Sequence, residues 1–125
     1  MKFSKFILLA LIAFASAANA TGRHDSYSCP KSAGENGQLV RASGISLYSG
    51  HPSELAILKP ENADTDTGPA FWVLGPSEYD YWYVCIYKGT DSTHAFKLPK
   101  KVYSRCANIG FGKVWDKLKC KGNSD

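Results

Sequence analysis

Four cysteines in a chain of 125 residues constrain this sequence more than any other feature. Cys29, Cys85, Cys106 and Cys120 all follow residue 20. Residues 1–20 read as a secretory signal peptide. Lys2 and Lys5 open it, an apolar run covers 6–17, and Ala18-Asn19-Ala20 closes it with the A-x-A pattern of a cleavage site after Ala20. The run is shorter than the roughly 20 apolar residues that a membrane-spanning helix needs. The expected mature chain, 21–125, is one domain, too short to bury more than about two-thirds of its unfolded surface, so covalent staples matter. An even cysteine count in an oxidising compartment predicts two disulfides. Of the three possible pairings we expect Cys85–Cys106, between neighbouring strands, and Cys29–Cys120, between the chain ends. The sequence lacks C-x-x-C and H-x-x-x-H spacings, so neither a metal site nor a cofactor is expected.

The rest of the mature chain reads as β-structure, with turns every 8–12 residues and no long helical period. Residues 21–28 are small and polar and read as a loose N-terminus, and 31–37 as loop. Residues 38–43 and 45–48 read as strands about a kink at Gly44, and the apolar run 55–58 as a strand between Pro52 and Pro60. The longest expected loop is 60–69. Residues 70–74 and 81–88 are dense in aromatic and β-branched side chains and read as strands around a turn at 75–78. Tyr81, Tyr83, Cys85 and Tyr87 alternate with Trp82, Val84 and Ile86, apolar on both faces, which predicts a central strand. Further strands are expected at 93–98, at 102–109 before Gly110 and Gly112, and at 113–121. In the last, Val114, Asp116, Leu118 and Cys120 share one parity and the lysines the other; a short helix is the alternative. The fold class is therefore all-β: a compact antiparallel, sandwich-like single domain stapled by two disulfides.

Charge is divided along the chain. Residues 22–87 carry eight acidic and four basic side chains, whereas 88–121 carry nine basic and two acidic ones. The whole precursor has a formal charge of +4, and removal of Lys2 and Lys5 with the leader halves it. That balance does not mark a nucleic-acid binder. The division does describe a dipolar surface able to steer a charged partner. A blander account is that the lysines protect exposed strand edges from aggregation. Glu61, Asp64, Asp66, Glu78 and Asp80 lie in or beside loops, where binding residues concentrate.

No hydrolase signature is present, neither G-x-S-x-G nor H-E-x-x-H. A small secreted hydrolase would have to use His94 or His51. A cell-wall-binding module would use exposed aromatics such as Trp72 and Trp115.

A wider pattern runs through Cys29-Pro30, the Pro-flanked run 52–60, Phe71-Trp72, Tyr83-x-Cys85-x-Tyr87-x-Gly89-Thr90, Leu98-Pro99 and Cys106. It resembles a family of small exported proteins of Gram-negative bacteria, some encoded beside toxins of the type VI secretion system. Cys120 looks like an addition to it. The chain is also similar in kind, though not in motif, to periplasmic lysozyme inhibitors. The resemblance implies a monomeric periplasmic immunity protein that binds and blocks a peptidoglycan-attacking toxin and has no catalytic activity of its own. On that reading, the 60–69 loop and the 78–81 turn form a plug. Glu61, Asp64, Asp66, Glu78 and Asp80 would pair with basic groups of the toxin, with Tyr79 and Tyr81 packing beside them.

Overall fold

The computed structural model describes residues 24–65, 68–99 and 103–122. The segment expected to be a signal peptide, Asp66, Lys100 and Lys101 lie outside the described residues. Among the described residues ten strands are present: β1 (His24–Ser28), β2 (Ser32–Ala33), β3 (Leu39–Val40), β4 (Gly44–Ser49), β5 (Ile57–Leu58), β6 (Phe71–Val73), β7 (Tyr81–Ile86), β8 (Thr93–Lys97), β9 (Tyr103–Phe111) and β10 (Val114–Gly122). Two four-stranded antiparallel sheets, in the orders β1-β10-β9-β6 and β5-β4-β7-β8, pack around one core, and β2-β3 forms a small ribbon beside them. The all-β, doubly stapled architecture expected from the sequence is the one observed. Strand β7 is interior to its sheet, between β4 and β8.

The inward parity of each strand supplies the core. Ile45, Leu47, Tyr83, Cys85 and Tyr87 come from one sheet, and Trp72, Cys106, Leu118 and Cys120 from the other. The rings of Tyr27 and Tyr83 meet across the sheets at 5.9 Å, and Tyr83 stacks on Phe96 at 5.2 Å. From Asp116 onward the pattern of β10 is as expected, with Asp116, Leu118 and Cys120 buried and Lys117, Lys119 and Lys121 exposed, but Val114, expected on the inward parity, pairs with exposed Phe111 ahead of a register shift.

The disulfides connect differently from the expected pairing. The bonds are Cys29–Cys85 and Cys106–Cys120. Cys85–Cys106 is expected between neighbouring strands, but β7 and β9 are not neighbours, and Cys106 is taken by Cys120. Cys29–Cys120 fails because Cys120 lies directly opposite Cys106, with Cα atoms 4.0 Å apart. Cys29 instead reaches across the core to β7, so one bond joins the two sheets and the other ties two strands of one sheet.

Local expectations change as well: the expected loop at 31–37 contains β2, and the strand expected at 38–43 is limited to Leu39–Val40. Residues 24–28 form an edge strand paired with β10 rather than a loose terminus. The run 55–58 is shortened because Pro52–Glu54 forms a 3-10 turn, capped by His51 and closed by Leu55 in the left-handed region at φ 63°. Strand β9 continues through Gly110 to Phe111, and Gly112, at φ +64°, makes the hairpin turn. Trp72 is buried, its indole N–H donating to the Leu58 carbonyl at 3.0 Å, so it is unavailable as an exposed aromatic. Trp115 is half-buried and donates to the Gly112 carbonyl at 2.9 Å.

Candidate functional site

The acidic residues singled out from the sequence fall into two separate groups. Glu61 and Asp64 lie in the turn before β6, while Glu78, Tyr79 and Asp80 lie in the segment after it, so the two groups leave opposite ends of that strand. The first turn is held locally: the Asn62 side chain donates to the Pro69 carbonyl and accepts from the Phe71 N–H. Asp64 pairs with Lys59 at 3.1 Å, both side chains well exposed. In the second group Asp80 lies 3.8 Å from Lys97, the Tyr81 hydroxyl donates to the Gly75 carbonyl, and Tyr79 is exposed. Asp66 lies outside the described residues.

The basic half of the chain is organised quite differently. Antiparallel register places directly paired residues on one face. Lys117, Lys119 and Lys121 of β10 sit opposite Ile109, Ala107 and Arg105 of β9 on one side, and opposite Ser28, Ser26 and His24 of β1 on the other. Beyond β9, Phe71 and Val73 of β6 pair with Ala107 and Arg105. The Arg105 guanidinium lies 4.0 Å above the Phe71 ring, which puts the two on the same face. The outer face of this sheet therefore carries four cations bordered by Phe71, Val73, Ile109 and Phe111. Phe111 is 91% exposed at the hairpin tip. A groove of about 460 Å³ beside it is lined by Arg41, Ile109, Phe111, Val114, Asp116 and Lys117.

Edge protection does not account for these lysines, because β10 is an interior strand. Among the described residues none of the four cations forms an ion pair; the pairs present are Arg41–Asp116, Lys59–Asp64 and Lys97–Asp80. Alternate residues of a strand are about 7 Å apart. Two like charges at that distance repel by about 0.6 kcal/mol in water, so the row costs stability rather than adding it.

A β-bulge sets the row. The β9–β10 register shifts by one residue between Val114 and Lys117. Such a shift moves every later side chain to the other face. Gly110 permits it: a Cβ there would lie 2.2 Å from the Val114 carbonyl oxygen and 2.6 Å from the Trp115 Cα. Asn108 fixes it from inside the core. Its amide donates to the Trp115 and Lys117 carbonyls at 3.1 and 3.0 Å, and its oxygen accepts from the Ile45 N–H at 3.1 Å, linking the two sheets. Sequence reading missed Asn108; an amide amid apolar alternation was the available signal. Below the same face, Asp116 is buried against Arg41 at 2.8 Å.

A tyrosine network closes the core beneath β1. The Tyr103 hydroxyl donates to Asp25 at 2.5 Å and also hydrogen-bonds the Tyr27 hydroxyl. Burial first, then these two bonds, hold its pKa far above the ordinary tyrosine range. Burial likewise raises Tyr83 and Tyr87.

The histidines occupy structural positions. The His51 ring bonds Ser53 as a turn cap and sits edge-on to Trp82. His94 Nε2 lies 3.2 Å from the buried Ser32 hydroxyl. Among the described residues neither ring has a carboxylate partner, and no cluster of three or more His, Cys, Asp or Glu is placed to hold a metal. No helix among those residues is long and apolar enough to cross a membrane.

The family model of the type VI secretion system Tli immunity protein matches residues 35–121. The chain belongs to that family. No curated protein and no solved structure matches it. The matched span includes β9, β10 as far as Lys121 and both groups of loop carboxylates, and it ends at the last lysine of the cationic face. It begins after Cys29, so the Cys29–Cys85 staple has one partner outside it.

Proposed function

We propose that this immunity protein acts in the periplasm, where it binds a cognate type VI toxin and blocks it by occupying its surface, without catalysis. Family membership carries the reading. The architecture supports it: two disulfides and one continuous core make a scaffold that loses little freedom on binding. The leader expected at residues 1–20 would deliver the protein to an oxidising compartment in which both bonds persist.

The test mixes the purified mature chain with the toxin encoded beside it. Co-elution on size exclusion at micromolar concentration and loss of toxin activity are expected. Separate elution with full toxin activity would end the proposal. A peptidoglycan-attacking toxin is the form of partner that the sequence resemblance implies. For it, release of fragments from labelled sacculi should fall as the immunity protein is added. A toxin that leaves sacculi intact removes the cell-wall half of the proposal, and inhibition is then measured on that toxin's own substrate.

The loop carboxylates Glu61, Asp64, Asp66, Glu78 and Asp80, with Tyr79 and Tyr81, remain part of this proposal as a contact surface. Exposed Tyr79 favours them, since tyrosine is enriched among residues that dominate interfaces.

A further inference from the structure

We infer that the outer face of the β1-β10-β9-β6 sheet docks an acidic surface of the cognate toxin. The inference rests on the immunity reading above and adds to it the place and the sign of the contact.

Four observations converge on this face. Lys117, Lys119 and Lys121 project from an interior strand with Arg105 beside them, and none has a carboxylate partner among the described residues. From Lys117 to Lys121 the row spans about 14 Å, the reach of four strand residues. Three carboxylates elsewhere are paired, Asp64 with Lys59, Asp80 with Lys97 and Asp116 with Arg41. Glu35, Glu54, Glu61, Glu78 and Asp91, without ion pairs among the described residues, all lie in turns or loops, whereas on this face β1, β6, β9 and β10 set no carboxylate beside the four cations. An apolar border of Phe71, Val73 and Ile109 flanks the cations, and exposed Phe111 stands at one corner with a groove beside it. Finally, the platform is stiff: Cys106–Cys120 and the Asn108 bonds fix the two strands that carry the cations and the corner phenylalanine.

A row of uncompensated cations with an apolar rim calls for carboxylates in the partner, framed by apolar surface. Opposite charge accelerates encounter, and the rim and Phe111 then bury area and slow dissociation. The stiff sheet holds the cations in place before contact, which lowers the ordering cost of binding.

The experiment measures association and dissociation of the mature chain with the toxin encoded beside it, at low and high salt. Lys117→Glu/Lys119→Glu/Lys121→Glu should weaken affinity by about 100-fold or more, chiefly through slower association. The matching arginine triple variant should stay within about threefold, because it keeps the charge. Phe111→Ala should weaken binding about tenfold through faster dissociation. Circular dichroism checks that each variant folds. If the triple reversal does not fold, the single Lys119→Glu change and the salt dependence of the natural chain decide: association that ignores both overturns the inference. A folded triple reversal that binds as tightly as the natural chain also overturns it, while the immunity reading stands. A natural chain that does not bind the toxin at all removes both. Phosphatidylglycerol vesicles form the control. Co-sedimentation abolished by the triple reversal, with toxin affinity unchanged, would assign the face to a membrane and overturn the inference.

Discussion

The loops at the ends of β6 and the outer face of the β9–β10 hairpin carry opposite charge, and they are built on opposite principles. The loop carboxylates sit on turns held by nearby hydrogen bonds, such as those of Asn62, and two of them are neutralised by exposed lysines. The lysines of β10 sit on a strand bonded on both sides, tied by a disulfide and a buried amide, and are left uncompensated. Charge on a turn can adapt and is cheaply matched. Repelling charge on a rigid interior strand persists only where the surrounding structure holds it, which is why we assign the toxin contact there.

The largest effects should come from the staples, and they should separate the two regions. On the loop-closure account, removing Cys29–Cys85, with its separation of 56 residues, costs about 4 kcal/mol and loosens both sheets. Removing Cys106–Cys120, with a separation of 14, costs about 3 kcal/mol. Denaturant unfolding of the paired Cys→Ser variants measures both. In the Cys106→Ser/Cys120→Ser variant, amide exchange should quicken along β9 and β10 while the Asn62 turn keeps its protection. Uniform quickening would mean that the hairpin is not an independent platform.

Next comes the bulge. Gly110→Ala drives a methyl group into the Val114 carbonyl and Trp115, so it should cost about 2–3 kcal/mol. It should also reduce toxin affinity, because the register that aligns the lysines depends on that glycine. Full affinity in a destabilised variant would separate the face from its support.

A third test uses pH. Tyr103 ionises less readily in the folded protein than in the unfolded chain, where its pKa is near 10. Its contribution to stability is therefore complete below about pH 10 and is lost as pH rises above that value, because the unfolded state then releases the proton first. Tyr83 and Tyr87 act in the same direction. Urea midpoints should fall above pH 10, and Tyr103→Phe should make that fall shallower. A midpoint independent of pH up to 11 would argue against the buried network beneath β1.

The smallest effect is expected at the loops. Asp64→Asn breaks only an exposed pair and should change stability by less than about 1 kcal/mol. Reversing Asp64 and Asp80 together should alter toxin affinity by no more than about fivefold on the assignment made here. A loss that rivals the lysine reversal would move the main contact from the sheet to the loops.

How much was legible depended on whether the signal was local. Strands β7 to β10 could be read because aromatic density, alternation and Gly or Pro stops lie within each segment. The last strand was legible from Asp116 onward, where Asp116, Leu118 and Cys120 face inward, but not at Val114, which precedes the register shift. Strand β1 was not, since His24–Ser28 is polar and becomes a strand only because β10 offers it a partner. The strand expected at 55–58 is shortened to Ile57–Leu58 because the His51 cap and Pro52 favour a turn at Pro52–Glu54 that Leu55 closes. The loop carboxylates could be named from the sequence, but not their separation by β6 or their lysine partners, which depend on chain path.

The sequence by itself determined a small, all-β, doubly disulfide-bonded domain with an acidic first part and a basic second part. Those properties follow from counts and periodicity, which any fold of the chain must respect. Tertiary structure decided which cysteines join and where the cations gather. Both decisions turn on a single extra residue in β10, accommodated at Gly110 and held by Asn108. It brings Cys120 opposite Cys106 and aligns Lys117, Lys119 and Lys121 with Arg105 on one face. A period of two cannot foretell where it will be interrupted, because the interruption is set by what packs against the strand from the other side.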